Sequence, residues 1–561
     1  MPHFRSWRSL PKLVESMMAL RILLEETFGW RSISRPGGVL WFKGVLYGDK
    51  LTKLADRLEA AGVAGAAEIV SAVDGHFALV FVTTGWVVAA TDRVGTIPLS
   101  YAGERGDWTI GSNATRVAAA TNCKTVDSDA FLSLAMSGYT IGGKALLRGI
   151  YPLEPGECVV FREDGAAKRI PYYVYKPISV CADEEALVDV MREVFSRMIE
   201  SLDGRVVLVP LSAGLDSRLI VSALHELQYD NVKCFSYGQP GNYEARAGEQ
   251  IAASLGFPWT FVANSPAQQR RTHADGDWVS FIEATDTLQA IPFQQDFYAV
   301  GEMKRSSFAP EDAIFINGQS GDFISGNHIP QSLLEPALHF GLENSWRRIL
   351  DAAIDKHFSL WSALKTPANV ARVETEIRRD LESLDLRPDD PACDYALFEG
   401  SEYKNRQSKY VVAGQRTYEW FGYEWRLPLW TNDFIEFWRV APPEQKFGQK
   451  LYRETLRRLN WGGVWGDGYW PKQNVVPTWM RPVRFAAKVA HMPVGRGSWR
   501  QFEKRFLAWR TDPTSNYAAT PYWTVVRDKL GHRNAISWVA RRYIESKGLT
   551  LEGLISEGER N

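Results

Sequence analysis

Residues 206–224 read VVLVPLSAGLDSRLIVSAL, and this stretch decides the fold: an apolar β-branched run, a tight Ser-Ala-Gly-Leu-Asp-Ser turn, then the opening of an amphipathic helix. A strand ending in such a turn aims successive backbone N–H groups and the positive helix end into one concavity, where phosphate oxygens are favoured. Gly214 permits close backbone approach. Ser212 and Ser217 bring hydroxyl donors, and Asp216 offers a hard carboxylate suited to Mg²⁺, which takes a few carboxylates plus phosphate oxygens and water. The turn has no Lys and is not a Walker A loop. Taken alone, it also fits an ordinary strand-to-helix turn with a capping Ser.

A second segment repeats the pattern. The short apolar run Ile314 to Ile316 leads into NGQSGDFISGN, where Gly318, Gly321 and Gly326 surround Asp322. An Asp after a strand end is often only a turn residue. Two of them, each in a Gly-rich turn after a strand, suit one shared Mg²⁺ at the carboxyl edge of a parallel sheet, where doubly wound folds collect their ligands.

On these residues the chain resembles the asparagine synthetase family, whose synthetase domain carries S-G-G-x-D-S and a later S-G-D-G-x-D-E. CFSYG at 234–238, EARAGEQIAASLGF after it, FIEATD at 281–286, YEWRLPLW at 423–430 and Lys472 in WPKQNVVP extend the likeness. Earlier, GHFALVF at 75–81, TDRVGTIPLSY at 91–101, WTIGSN at 108–113 and GIYPLEPGE at 149–157 resemble strands of a class II glutamine amidotransferase domain. The fold implied is an N-terminal Ntn-hydrolase-like αββα sandwich over residues 1–175. It is followed by a Rossmann-like parallel-sheet PP-loop ATP-binding domain over 186–480 and a helical extension over 481–561.

The resemblance assigns roles residue by residue. Ser212, Gly214 and Ser217 hold pyrophosphate, Asp216 and Asp322 place Mg²⁺, and Leu211, Tyr237, Asn317 and Gly318 frame the adenosine of ATP. Amines do not displace oxide from a carboxylate, so the acid is first activated as an acyl-adenylate. Lys472 then stabilises the oxyanion as nitrogen attacks.

Two departures alter that chemistry. The family's glutaminase needs an N-terminal Cys, whereas this chain begins MPHFRSW and its first cysteine is Cys123. The amidotransferase-like domain is therefore expected not to hydrolyse glutamine. Asp92 matches a glutamine-contacting Asp or serves as a turn residue that helps the domain fold. In the second loop, Phe323 replaces the family's Glu, so another carboxylate, Glu283 or Glu424, takes the acid-base role, or the nitrogen arrives needing less proton removal. Ala213 for the usual second Gly is mild unless the turn needs a positive φ.

The acceptor is a small-molecule or peptide carboxylate, with ammonia free or from a separate glutaminase. The Trp-rich YEWRLPLWTNDFIEFW stretch looks like asparagine-synthetase-like proteins of surface-polysaccharide pathways, which points to a uronic acid. β-Lactam synthetases and lasso-peptide cyclases also lack the N-terminal Cys and close a ring with the substrate's own amine. A non-catalytic scaffold is the third alternative.

Composition fits a large cytoplasmic enzyme. The 65 basic and 66 acidic residues of 561 nearly cancel, leaving no electrostatic footprint for nucleic acid or an anionic membrane. Five scattered cysteines without a C-x-x-C pair fit reduced thiols and no zinc site. Residues 10–28 suit an amphipathic surface helix rather than a signal peptide. Phe77 to Ala90 reads as two buried strands joined at Thr83 to Gly85. Leu187, Val190, Met191, Val194, Phe195, Met198 and Leu202 form a helical packing stripe, and Trp420, Trp425, Trp430 and Trp438 either pack helices or line a substrate pocket.

Overall fold

The computed structural model describes residues 19–25, 28–104, 106–335, 341–388, 390–466 and 475–558. It divides into two units, residues 1–126 with 143–174 and residues 127–142 with 175–561.

Ten strands build the first unit: β1 (Ala19–Leu23), β2 (Arg31–Arg35), β3 (Gly38–Leu46), β4 (Gly75–Val82), β5 (Trp86–Thr91), β6 (Ser100–Glu104), β7 (Asp107–Gly111), β8 (Ile150–Pro152), β9 (Glu157–Arg162) and β10 (Ala167–Pro171). They form a six-stranded antiparallel sheet, β10-β9-β5-β4-β3-β2, and a four-stranded sheet, β1-β7-β6-β8. Helix α1 (Leu51–Ser71) buries Leu54 and Leu58 against Phe42, Phe77 and Phe81 of the first sheet. Helix α2 (Ala114–Thr121) packs on β6 and β7. Side chains alternate along a strand: on β9, Cys158 and Val160 join the α1 cluster, while Phe161 meets Tyr101 and Trp108 of the other sheet at ring distances of 5.3 Å. The result is an αββα sandwich, and burial on both faces explains why β4 and β5 read as nearly unbroken apolar runs.

The N-terminal expectation needs correction. Ala19–Leu23 is a strand paired in parallel with β7, not part of a helix. Its ALRIL sequence satisfies its backbone in the sheet, and residues 10–18 of the expected helix lie outside the described residues.

In the second unit, helix α3 (Ser128–Ser137) falls inside the span expected for the first domain. It belongs here because Arg372 pairs with Asp129 at 2.8 Å and Leu360 N–H donates to the Met136 carbonyl at 2.9 Å. Helix α4 (Glu184–Glu200) buries Leu187, Met191, Val194, Phe195 and Met198. Strand β11 (Val207–Pro210) leads through the turn into α5 (Leu215–Glu226), β12 (Val232–Gly238), α6 (Tyr243–Ser254), β13 (Trp259–Ala263), and later β14 (Ile314–Ile316) and β15 (Glu424–Arg426).

These five strands are all parallel, in the order β13-β12-β11-β14-β15. Val207 sits opposite both Val232 and Ile314, and Ile314 opposite Glu424. The order reverses between β11 and β14, and at such a switch point the loops leaving the carboxyl ends diverge and open a crevice. Both Asp-bearing turns leave from those two strands.

Residues beyond 480 are not a separate appendage. Tyr543 donates to the buried Asp286 at 2.7 Å, and the Gln239 N–H, just past β12, donates to the Pro513 carbonyl at 2.7 Å.

Candidate active site

The turn after β11 is tied by its own hydroxyls. Ser212 Oγ and Ser217 Oγ lie 3.1 Å apart, the Ser212 N–H donates to Ser217 Oγ at 3.1 Å, and the Gly214 N–H donates to Ser212 Oγ at 3.2 Å. Gly214 caps α5 with φ −70° and no side-chain cap, so the first-turn N–H groups face outward, as an anion site needs. Neither Ala213 nor Gly214 has a positive φ. Alanine is therefore unstrained at 213.

The two aspartate turns meet. The Asp322 N–H donates to Asp216 Oδ2 at 2.9 Å. Gly318 and Gly321 make this approach possible: a β-carbon on Gly318 would stand 2.8 Å from Asp216 Cβ, and one on Gly321 2.5 Å from Asp216 Oδ1. Tyr452 donates to Asp216 Oδ1 at 3.3 Å. Burial, then the Asp322 charge, pushes the Asp216 carboxyl well above its ordinary range. Burial would raise Asp322 too, but His328, with Nε2 at 3.3 Å from Asp322 Oδ2, holds it below the usual value.

Two adjacent carboxylates, one of them raised by burial and by the other's charge, fit a divalent cation, which relieves both penalties at once. Among the described residues no cluster of three or more His, Cys, Asp or Glu forms a metal cage. Asp216 and Asp322 would therefore hold a Mg²⁺ whose remaining shell is phosphate oxygen and water, the usual mode for that ion.

The residues expected to frame adenosine lie in and after strands β11, β12 and β14, and Gly318 among them adjoins Asp216. Leu211 donates to the Phe235 carbonyl at 2.8 Å, and its own carbonyl accepts from the Ser236 hydroxyl at 2.7 Å. Tyr237 is half-buried near the carboxyl end of β12. Asn317 donates through Nδ2 to the Tyr418 hydroxyl at 2.9 Å and accepts from the Gln319 N–H at 2.9 Å, which shapes the loop from Gly318 onward.

Of the two carboxylates expected to replace the family's Glu, Glu424 does not reach the crevice. Glu424 begins β15, so it lies at the amino edge of the sheet, paired with Arg205 at 2.7 Å and Arg426 at 3.2 Å. Burial would raise its carboxyl, but these guanidinium groups keep it lowered. Glu283 is exposed on the helix Gly276–Ala284. Lys472 lies outside the described residues. Phe323 itself is fully buried and stacks on Trp430 at 6.0 Å, so the position has become core.

What stands beside Asp322 instead is a network that local sequence patterns do not reveal. His328 bonds through Nδ1 to the buried Glu402, which also accepts from Gln407 at 2.9 Å and faces His357 at 2.9 Å and Arg406 at 3.3 Å. Burial would lower His328, but Glu402 and Asp322 raise it to about 9. Asp322, His328 and Arg406 open on a cavity of about 250 Å³, whose other walls include Gln294, Gln319 and Val539. Val539 comes from the helix Ala535–Ser546, so the C-terminal residues complete the cavity. Trp425, Trp430 and Trp438 are buried packing residues, and none of them lines it.

A family model described as asparagine synthase matches residues 192–460, and one described as glutamine amidotransferase domain matches residues 58–173. No curated protein matches the chain. Among solved structures, the chain is similar to a glutamine phosphoribosylpyrophosphate amidotransferase from B. subtilis complexed with ADP and GMP, at 15% identity and a TM-score of 0.16, over 51% of this chain and 62% of that one. It is also similar to one described as the allosteric regulatory enzyme of purine biosynthesis, at 15% identity and a TM-score of 0.16, over 52% of this chain and 57% of the other. The chain thus spans about three fifths of the length of these structures. The parallel sheet with its two joined aspartate turns lies within the first match and most of the αββα sandwich within the second, so the chain carries a glutamine amidotransferase domain followed by an asparagine synthase domain.

Proposed function

We propose that the protein is an ATP-dependent amide-forming ligase that activates a substrate carboxylate as its acyl-adenylate, releases pyrophosphate and transfers nitrogen to the acyl carbon. The observation that carries this reading is the 2.9 Å hydrogen bond between Asp322 N–H and Asp216 Oδ2, which joins the two aspartate-bearing turns at the switch point. In this reading the open N–H groups of α5 and the Ser212 and Ser217 hydroxyls hold the departing pyrophosphate. Asp216 and Asp322 hold Mg²⁺, which when bound neutralises charge on the phosphates. The acceptor enters the cavity between Asp322 and Val539, where Arg406 and His328 supply positive charge and the glutamines supply neutral donors and acceptors. A uronic acid, with one carboxylate and many hydroxyls, suits such a lining. Ammonia serves as the nitrogen source, and Lys472 remains the candidate donor to the oxyanion.

The test is Mg²⁺- and ATP-dependent pyrophosphate release over a panel of uronic, amino and peptide carboxylates, with and without ammonia, and with Asp216→Ala as control. Ammonia-stimulated release with a uronic acid supports the reading. Ring formation without ammonia supports an intramolecular cyclase instead. ATP binding with no release on any acid points to a scaffold.

A further inference from the structure

The helix Met480–His491 presents its apolar side to water. Met480 is buried, and Arg484, Ala487 and His491 are half-buried. At about 100° per residue these four share one side of the helix. Around the opposite side run Phe485, Val489, Pro482, Ala486, Ala490 and Val483, all exposed, flanked at one edge by Arg481 and Lys488. The surface continues past both helix ends into Trp479, Met492 and Val494. Six of the thirteen exposed large apolar side chains among the described residues fall between 479 and 494, with Phe485 and Met492 both 71% exposed. Single exposed apolar residues need no explanation, but a contiguous outward arc does.

Charge identifies what covers it. From 480 to 510 there are eight Arg or Lys and one acid, Glu503, and Glu503 pairs with Arg484 on the inward side at 2.6 Å. The near-zero net charge of the whole chain hides this local excess. We infer that the helix Met480–His491 and the turn after it form a docking surface for an anionic lipid bilayer. The helix lies in the interface, with Phe485, Val489 and Met492 in the acyl boundary and Arg481 and Lys488 at headgroup level. This combination of apolar face and flanking cations is that of an interfacial helix. At twelve residues the helix is too short to span, and no described helix is long and apolar enough to cross a membrane. A second copy fits less well, because a two-fold interface through this face would set like charges against each other.

Flotation of the full chain with vesicles tests the surface independently of catalysis. The chain should float with phosphatidylcholine–phosphatidylglycerol vesicles, much less with phosphatidylcholine alone, and should be released by added salt. Phe485→Asp with Val489→Asp, and separately Arg481→Glu with Lys488→Glu, should each weaken flotation by about tenfold or more. Unaltered circular dichroism and ATP-dependent pyrophosphate release in these variants separate lost docking from lost folding. No flotation with anionic vesicles overturns the inference, as does flotation that neither pair changes. It is also overturned by a dimer or a complex with an acidic protein that the apolar pair abolishes while vesicles go unbound.

Discussion

Gly321 lies so close beneath Asp216 that a β-carbon on it would stand 2.5 Å from Asp216 Oδ1 and equally close to Leu429 Cδ1. A side chain there must therefore displace Asp216 or Leu429. Gly321→Ala should push Asp216 away from the Asp322 turn, and a shift near 1 Å at reacting groups costs about a hundredfold in rate. Pyrophosphate release should fall by about that factor, with a stability loss of about 1–3 kcal/mol from overpacking. Gly276→Ala, at a glycine whose β-carbon would meet nothing within 4 Å, should leave turnover unchanged. Equal turnover in Gly321→Ala and wild type would show that the two turns are not coupled during the reaction.

Arg406 is the guanidinium of the cavity wall, 3.3 Å from Glu402. If it receives the acceptor, Arg406→Gln removes a charge-assisted hydrogen bond worth about 1.5–3 kcal/mol, and KM for the acceptor carboxylate should rise by about tenfold or more. KM for ATP should stay within about twofold, since Glu402 keeps His328, His357 and Gln407 as partners. Steady-state kinetics with each substrate varied in turn separates these constants. A rise confined to ATP would move the acceptor to another place.

The loops after β11 and β14 were legible because their chemistry is local: apolar β-branched runs, then glycines, then one aspartate each. Strand direction is legible too. Glu424 opens the run Glu-Trp-Arg, so in a parallel sheet it had to lie at the edge away from Asp216. The pairing of His328 with Glu402 spans 74 residues and leaves no local pattern. Periodicity marks the apolar side of Met480–His491 but not whether protein or water lies against it. Ala19–Leu23 was too short for any period to settle, and its partner β7 lies far along the chain.

Asp92 admitted two readings, glutamine contact or turn closure, and the geometry favours the second. Its buried carboxylate accepts from the N–H groups of Phe77 and Val94 at 2.8 Å and of Gly95 at 2.9 Å, and from the Thr96 hydroxyl. A carboxylate so engaged has little capacity left for a ligand amine. Asp92→Ala strands several buried donors, each costing about 1–3 kcal/mol, so thermal unfolding should begin at a clearly lower temperature. Below that temperature kcat for pyrophosphate release should be unchanged. A large loss of kcat with no change in unfolding would favour a ligand-binding role.

His273 gives the second unit an acid-sensitive element. The ring is buried against Trp278 at 4.5 Å, bonded through Nδ1 to the Gln269 carbonyl at 2.7 Å and through Nε2 to the side chain of Gln294 at 3.0 Å, and Gln294 lines the cavity. Burial lowers its pKa to about 4, against an ordinary value near 6.5. Between those values the unfolded chain binds a proton that the folded chain refuses, so this contribution to stability is complete above about pH 6.5 and declines as pH falls toward 4. A lowering of that size corresponds to about 3 kcal/mol across the window. Urea midpoints taken from pH 7.5 down to 4.5 should therefore fall more steeply in the wild type than in His273→Gln, which has no proton to take up. Parallel slopes in the two proteins would mean that the ring titrates in the folded state as it does in water.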